Sequence, residues 1–479
     1  MDCQQNHDRC KIQGGNETTP WYPTRLVEVT EQHIKLVVCA KVSPVSPYAT
    51  LSHCWGGATI LTCTLQNLEA LQKEIRYRDL PLTFKHAMTT IRSLGIRYIW
   101  IDSLCIIQDS KKDWRTEAAT MGNIYQHALL NLAATHGNDS HAGLFTFQDP
   151  LTSSGIFQVN GSSEPSRGSV VDMIVTKDVG VPSGPLGMRG WVLQERLLSR
   201  RIVHFEDEYV LWDCAQRLQA PPYLKRDINP LTDEDLRSTW EKIIRAYCYL
   251  DLTVRSDRPV AISGIGEILA KRFGEQYVQG LWRTDLEEQL CWLSKGPRDG
   301  ARIEHVPSWT WASLSNTRVI QSWSGRPDDH VRCPGAASIV DVDESLTKIQ
   351  VRCVCYEMMF TSRPSWYTDF KAQVTIPSVL SSVSFTALLD TADTEYGDNL
   401  LFAILVAASS IIQGLLLEPV EGTVGTYIRR GMIGRLPDEQ DLGDAISEPW
   451  YEKYVVPAPG KCTKCQEHDD RLGCLITLV

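Results

Sequence analysis

The sequence lacks the marks of a secreted or nucleic-acid-binding protein. Its first residues, MDCQQNHDRCK, contain no apolar run, so we expect no secretory signal. The formal net charge is −10 and no long basic run occurs, which argues against nucleic acid as the principal partner. The 15 cysteines are odd in number and show no framework spacing, which favours reduced thiols. These absences predict a cytosolic or nuclear protein, with the cytoplasm as the expected location.

An uninterrupted membrane span is also missing. The uncharged run at residues 400–417, LLFAILVAASSIIQGLLL, approaches the length of a spanning helix, but serines, a glutamine and a glycine interrupt it. Turn residues and strand-favouring residues follow the run. We therefore predict two buried strands joined by a turn around Ala408–Gln413, with a membrane helix as the alternative.

The length of 479 residues is too great for one ordinary core and predicts about two or three domains. We find no repeat or low-complexity tract. Composition and periodicity divide the chain into a variable lead-in (1–47), an α/β domain (48–215) with a long loop (146–188), a helical region (216–300), a β-rich module (301–460) and a polar, cysteine-containing tail (461–479).

Strands and helices alternate on short connections in the first half of the chain. The predicted strands lie near Lys35–Val42 and at 49–55, 97–102 and 129–135, and the predicted helices lie at 65–75, from Pro81 to Gly95, and at 113–128, 231–254 and 258–273. Such alternation implies parallel strands with right-handed crossovers. The predicted fold is α/β, with an open, doubly wound, mostly parallel sheet in the N-terminal half, followed by helical and β-rich parts.

The helix predicted at 113–128 carries a carboxylate beside its buried face. Its apolar residues recur with the period of one helix face: Trp114, Ala118, Met121, Tyr125 and Ala128. Glu117 lies at the rim of this stripe, just beyond the strand at 97–102, where α/β proteins usually place a ligand-facing group. The alternative is that Glu117 is a half-solvated acid in the first turn, favoured by the helix dipole.

Polar and small residues follow the first strand of the predicted sheet. They are Ser52, His53, Cys54, Gly56 and Gly57. Adjacent residues of a strand point to opposite faces, so His53 and Cys54 cannot pair directly as base and nucleophile. The alternative is a packed Cys54 beside a His53 that lines a crevice or caps the turn. The two glycines would let the backbone approach a phosphate, although they do not form a full fingerprint.

Asp102, Gln108 and Asp109 follow the second strand and would line the same edge of the sheet. Together with the turn at Ser52–Gly57, they form a crevice suited to the ribose hydroxyls and amides of a nucleotide. The alternative is local: residues 110–113 form a capping box, S-x-x-D, and Asp102 ends its strand.

A further helix pattern, RGWVLQERLLSRR, sets polar residues around a Trp/Leu core: Gln194, Glu195, Arg196 and Arg200. Arg189 or Arg196 would suit an anionic ligand. A solvated helix face with an internal salt bridge is the favoured interpretation.

The C-terminal tail contains a spacing that permits one zinc site: Cys462, Cys465, His468 and Cys474. The surrounding KCTKCQEHDDRLGC has the composition of a polar tail, so a disordered end without metal is the favoured alternative. Cys3, His7 and Cys10 are a weaker signal of the same kind.

Several blocks of the sequence resemble a known family. They are LSHCWGG (51–57), WIDSLCIIQD (100–109), DWRTEAATMGNIY (113–125), AATHGNDSHAGLF (133–145) and RGWVLQERLLSRRIVHF (189–205). In order and spacing they resemble the fungal heterokaryon-incompatibility (HET) domain over roughly residues 48–205. Weaker similarity to the C-terminal part of long HET proteins continues in SDRPVAISGI, GLWRTDL, PSWTWAS and YIRRGMIGR.

The resemblance implies a role in fungal non-self recognition and programmed cell death. The HET domain is similar to the TIR fold, and several TIR domains hydrolyse NAD with a helix glutamate in a W-x-x-E setting. Trp114 and Glu117 match that pattern in type and spacing, so the resemblance makes Glu117 the key carboxylate, with NAD as substrate and no metal or other cofactor required. The turn at Ser52–Gly57 is not a TIR sequence, which leaves the rest of the pocket open.

Two other classes of function stay open. The domain can be a non-catalytic signalling module that acts by self-association or by binding another incompatibility protein. It can also be recruited to a biosynthetic step of secondary metabolism that uses the same crevice. The sequence identifies neither the trigger nor the allelic partner.

Overall fold

The computed structural model divides the chain into two compact units, Met1–Leu252 with Val260–Ile268, and Thr253–Pro259 with Leu269–Val479. The structure describes residues 3, 7, 10, 21–44, 46–57, 59–146, 156–160, 170–174, 184–207, 210–214, 235–295, 302–315, 319–322, 337–360, 371–376, 380–391, 400–408, 411–435, 464–469 and 473–479.

The first unit alternates strands and helices. Its strands are β1 (Arg25–Val29), β2 (Ile34–Val38), β3 (Tyr48–Ser52), β4 (Tyr98–Trp100), β5 (Leu130–Ala133), β6 (Ile156–Asn160), β7 (Val170–Ile174), β8 (Arg201–Phe205) and β9 (Val210–Cys214). Its helices are α1 (Cys39–Val42), α2 (Leu68–Lys73), α3 (Leu82–Ser93), α4 (Asp102–Cys105), α5 (Lys111–His127), α6 (Gly190–Leu198) and α7 (Leu236–Tyr247), and α8 (Arg258–Phe273) contributes residues to both units.

Seven of these strands form one mixed sheet in the order β2-β1-β4-β3-β5-β8-β9. The centre, β4-β3-β5-β8, is parallel, whereas β1, β2 and β9 pair antiparallel at the two edges. The α/β class with a parallel centre is confirmed, but the prediction of a mostly parallel sheet was too strong. Two edge hairpins explain the difference, because short connections force antiparallel pairing. One of them, β1–β2, comes from residues that the sequence assigns to the lead-in.

The order of the parallel strands reverses beside β3. The chain passes from β3 to β4 on one side, and from β4 back across β3 to β5 on the other. Ligands of open α/β sheets bind in the crevice outside the carboxyl ends of the strands at such a reversal. The residues that end β3 and β5 therefore lie where a ligand of this sheet is expected to bind. The doubly wound, TIR-like arrangement stays a prediction.

Two helices begin at or close to where the sequence predicts them to begin. The helix α3 starts directly after Pro81 and ends just before Gly95. At the start of α5 the Ser110 hydroxyl accepts a hydrogen bond from the backbone N–H of Asp113 at 3.2 Å, half of the predicted capping box. Of the long loop predicted at 146–188, the structure describes the antiparallel hairpin β6–β7 and a 3₁₀ turn at Pro185–Met188, and most of the rest lies outside the described residues.

The second unit is rich in strands, as predicted. Its elements are β10 (Tyr277–Val278), β11 (Leu281–Trp282), α9 (Leu286–Gln289), β12 (Trp292–Lys295), β13 (Val319–Ser322), β14 (Ala337–Val342), β15 (Ile349–Phe360), β16 (Lys371–Ile376), β17 (Leu380–Leu389), β18 (Leu400–Ala408), β19 (Ile411–Pro419), β20 (Thr426–Arg435), β21 (Glu467–Asp469) and β22 (Gly473–Leu478). Nine of the strands form one sheet around β15. Residues 473–478, grouped with the polar tail in the sequence, pair with β15 as the buried strand β22.

The uncharged run at 400–417 forms two antiparallel strands, β18 and β19, as predicted. Leu401 pairs with Leu417 and Ala408 with Ile411, so the turn falls within the predicted range. Among the described residues, no helix is both long enough and apolar enough to cross a membrane.

Candidate functional site

The carboxyl ends of β3 and β5 are joined by a buried polar cluster. Ser52, the last residue of β3, accepts a hydrogen bond from the Asn131 side-chain amide of β5 at 2.9 Å. Thr50 donates to the other end of the same amide at 3.0 Å. All three side chains are buried. Buried polar groups of this kind fix the register of the strands and hold hydroxyl and amide groups at the reversal point of the sheet.

Glu195 of α6 is the carboxyl group of this cluster. Its hydrogen-bonding neighbours are the hydroxyls of Ser52 and Tyr125, while Asp102 and Arg189 act on it through their charges. Burial raises the pKa of Glu195 to about 7; Ser52, Arg189 and Tyr125 oppose the shift, and Asp102 adds to it. Its Oε2 atom is buried without a hydrogen-bond partner among the described residues. A carboxyl group with a pKa near neutrality and one unused oxygen is suited to proton transfer.

A small pocket adjoins this cluster. Its empty space, including the mouth that opens to solvent, is about 300 Å³. The lining combines apolar residues with a few polar groups: Ser52, Asn131, Ala133, Thr135, Leu186, Gly187, Val192, Arg196, Ile202 and His204. The carboxyl ends of β3 and β5 and strand β8 all contribute to it. A mostly apolar recess with a few convergent polar groups is typical of a ligand site. Its enclosed space is about 20 Å³, which is room for about one water molecule.

His53 and Cys54 are both buried and pack against different parts of the domain, Cys54 in an apolar cluster with Ala133 and Ile202. The His53 ring packs edge to face against Phe84, and its Nδ1 lies 3.9 Å from Asp102 Oδ1. Burial lowers the pKa of His53, although Asp102 opposes the shift, and this favours the neutral ring. Burial also raises the pKa of the Cys54 thiol, which disfavours the reactive thiolate.

The other residues predicted at this edge make hydrogen bonds to neighbouring parts of the domain. Asp102 Oδ2 accepts a hydrogen bond from Trp55 Nε1 at 2.8 Å, which ties the turn after β3 to the start of α4. The Gln108 amide donates to the backbone oxygens of Asp102 and Ile106 at 3.1 Å each. Asp109 accepts from the backbone N–H of Leu65 at 2.9 Å. The charge of Asp102 also raises the pKa of Glu195.

Glu117 occupies a different environment from Glu195. It is 1% exposed, and its Oε1 lies 3.4 Å from the guanidinium of Arg25, which also pairs with Asp113 at 2.5 Å. Burial raises the pKa of Glu117, whereas Thr24 and Arg25 oppose that shift. The half-solvated alternative for Glu117 is therefore wrong. Trp114, the tryptophan of the W-x-x-E pattern, packs edge to face against Trp191, and their ring centres lie 6.3 Å apart.

The structure thus unites Ser52, Tyr125, Asn131 and Glu195, of which the sequence predicts only Ser52 as a site residue. The solvated-face interpretation of α6 was wrong, because Gln194, Glu195 and Arg196 are all buried. The available signal was the absence of a polar face: Leu and Val flank these residues on every side. For Asn131, the signal was a single amide in the apolar strand LNLA.

A comparison with family models decides the family of this region. Residues 48–195 match the model described as Heterokaryon incompatibility protein (HET). The chain contains a HET domain. No curated protein and no solved structure matches the chain.

The HET domain match includes the whole polar cluster. It begins at Tyr48, the first residue of β3, and ends at Glu195 itself. Arg25, the ion-pair partner of Glu117, lies on β1 outside the match. The polar cluster is therefore built from HET residues alone, although Arg196, Ile202 and His204 of the pocket lie beyond the match. The environment of Glu117 also depends on a preceding strand.

The turn after β3 in the HET domain gives a matched pair of glycine variants. Gly56 has φ +63, and a Cβ there would lie 2.4 Å from the Cβ of Asp139, whereas a Cβ at Gly57 would meet nothing within 4 Å. We expect Gly56→Ala to lower the free energy of unfolding by about 2 kcal/mol or more, through left-handed strain plus the clash. Gly57→Ala should change it by less than about 0.5 kcal/mol. Urea unfolding of both variants checks this, and equal losses would refute the close approach.

The raised pKa of Glu195 predicts a pH-dependent cost in stability. The pKa is about 7 in the folded HET domain, against 4.5 for an unperturbed glutamate. The stabilisation from the protonated form is fully present below pH 4.5 and is lost as the pH rises through 7. We expect Glu195→Gln to be more stable than the wild type at pH 8 by about 3 kcal/mol, a gap that shrinks towards pH 5. Urea unfolding at both pH values measures the gap, and a gap independent of pH would refute it.

The structure places three of the four ligands predicted for the C-terminal metal site. Cys465, His468 and Cys474 have ligand atoms within 4.8 Å of one another, and the Nδ1 of His468 lies 3.5 Å from the Sγ of Cys474. Cys462, the fourth predicted ligand, lies outside the described residues. A zinc site there stays a prediction.

Proposed function

We propose that this chain is a cytoplasmic effector of fungal heterokaryon incompatibility, in which the HET domain hydrolyses NAD as part of a programmed cell-death response. The observation that carries the proposal is the Glu195 carboxyl group. It lies at the reversal point of the parallel strands, beside a pocket, with a pKa near neutrality and one unused oxygen. The HET match supplies the incompatibility role as the biological setting.

The proposed reaction converts NAD and water to nicotinamide, ADP-ribose and a proton. The bond between the ribose C1′ and the nicotinamide nitrogen breaks, and its electron pair leaves with nicotinamide. A water oxygen then bonds to C1′. The ionised Glu195 would stabilise the cationic ribose centre and accept the proton of the attacking water, which then passes to solvent. No other cofactor takes part.

The neighbours of Glu195 suit the ribose end of this substrate. The Ser52 hydroxyl and the Asn131 amide bond each other, and they would exchange some of these hydrogen bonds for bonds to ribose hydroxyls. The remaining binding groups predicted from the sequence are not among the residues that line this pocket, and their role stays a prediction: His53, Gly56, Gly57, Gln108 and Asp109.

Glu117, with Trp114, is the second candidate carboxylate. Its match to the W-x-x-E pattern supports it, and its raised pKa shows that burial also acts on this group. Against it stands the ion pair with Arg25, which neutralises its charge where a cationic centre would need it. We therefore rank Glu195 first.

A non-catalytic role has one observation in its favour. The edge strand β9 exposes Val210 and Trp212, at 53% and 46% of their full surface. An exposed apolar edge strand is a ready template for pairing with another chain. On this alternative the HET domain signals by self-association alone.

The test is NAD turnover by the purified full-length chain, with nicotinamide and ADP-ribose separated by chromatography. It should be run on dilute protein and again under crowding, with sedimentation to record the assembly state. Equimolar release of both products supports the hydrolase. Assembly without product in either condition would move the function to the self-associating module.

A further inference from the structure

Three residues near the start of the chain meet the end of a distant strand. Cys3, His7 and Cys10 lie with Cys214, the last residue of β9, and the four ligand atoms are all within 4.8 Å of one another. The sequence alone shows only the first three. The fourth group is 207 residues from His7, which is why spacing could not reveal it.

The distances fit a tetrahedral metal site. Zinc bonds of about 2.3 Å to sulfur and about 2.0 Å to nitrogen place tetrahedral S···N pairs about 3.6 Å apart. The Nδ1 atom of His7 lies 3.5 Å from the Sγ of Cys214 and 3.8 Å from the Sγ of Cys10. Three cysteines and one histidine are a common ligand set for structural zinc.

Two of the four ligands are buried and two are half-buried. Cys10 and Cys214 are buried, at 0% and 2% exposure, and Cys3 packs against both. The guanidinium of Arg201 donates to the backbone oxygen of Cys10, which holds Cys10 next to β8. Arg201 and Arg200 bring positive charge close to Cys10, and such charge favours the thiolates that bind metal.

We propose that Cys3, His7, Cys10 and Cys214 bind one zinc ion. With four protein ligands the ion has no open position for substrate, so its role is structural. It ties the N-terminal segment to the edge strand β9 of the first unit. The thiols lose their protons on binding, and the free energy of binding adds to the stability of the fold. This proposal does not depend on NAD turnover.

The first test is the zinc content of the purified full-length chain by inductively coupled plasma mass spectrometry. We expect His7→Ala and Cys214→Ser each to lose about one zinc per chain relative to the wild type. Cys63→Ser, a buried cysteine outside both clusters, is the matched control and should keep the full content. Cys465→Ser separates any zinc held by the C-terminal cluster. An unchanged zinc content in both His7→Ala and Cys214→Ser, or a wild type without zinc, would overturn the proposal.

A second test uses the wild type and does not depend on the folding of variants. Alkylation is followed by peptide mass spectrometry, before and after a chelator removes the metal. Cys3, Cys10 and Cys214 should be protected in the metal-loaded protein and should react once zinc is removed. Two of these cysteines joined by a disulfide, or alkylation unaffected by the chelator, would overturn the proposal.

Discussion

Glu195→Gln is expected to lower the rate of nicotinamide release from NAD by about 100-fold or more. The amide keeps the shape of the side chain but removes the negative charge and the proton acceptor, and loss of either usually costs about 10²–10³-fold. The measurement is steady-state product release at pH 8, where the wild-type carboxyl is ionised.

The pH profile separates a catalytic role from a structural one. Since the pKa of Glu195 is about 7, the wild-type rate should rise with pH to a plateau above that value. The residual rate of Glu195→Gln should lack this rise. Glu69→Gln, on the exposed surface of α2, is the control and should keep the wild-type profile. An unchanged profile in Glu195→Gln would show that another group titrates.

Arg429→Met is expected to lower the free energy of unfolding of the second unit by about 3–5 kcal/mol. Arg429 is fully buried and bonds both oxygens of Asp390, at 2.9 and 3.1 Å. It also donates to the backbone oxygens of Leu290 and Trp292, and its guanidinium lies 3.5 Å from the Trp292 ring centre. Burial alone would raise the pKa of Asp390, but Arg429 and Arg302 hold it below its usual value. The substitution leaves Asp390 buried with a reduced set of partners.

Arg430→Met is the matched control for this prediction. The Arg430 ion pair with Glu418 is partly exposed, at 26% and 22% of the two side chains, and such pairs contribute at most about 1 kcal/mol. Urea unfolding is followed by tryptophan fluorescence, to which the buried Trp292, Trp309 and Trp311 of the second unit contribute. Equal losses for the two variants would contradict the role given to the buried pair.

Local signals predicted the elements but not their partners. The helix after Pro81 and the helix capped by Ser110 depend on contacts within a few residues, and both lie where their signals indicate. The strands β18 and β19 were also predictable, because polar residues interrupt an apolar run. The antiparallel edges of the sheet were not predictable. The strand β1 pairs with β4 across about 70 residues, and no local pattern determines that pairing.

The sequence predicted where the candidate site lies, but not most of the residues that form it. The reversal of parallel strands marks an edge of the sheet, and Ser52 was expected there. Glu195 was missed because a polar triplet in a short helix resembles a solvated face until its packing is known. Glu117 was expected at the crevice, but its partner Arg25 lies 92 residues earlier, beyond the reach of any local pattern.

The most direct test of the proposed site is nicotinamide release by Glu195→Gln and Glu117→Gln, assayed side by side with the wild type at pH 8 under crowding. Thermal melts should first confirm that both variants are folded. We expect Glu195→Gln to lose turnover and Glu117→Gln to retain most of it. Loss of turnover in Glu117→Gln alone, with Glu195→Gln fully active, would contradict the assignment and return the reaction to the W-x-x-E glutamate.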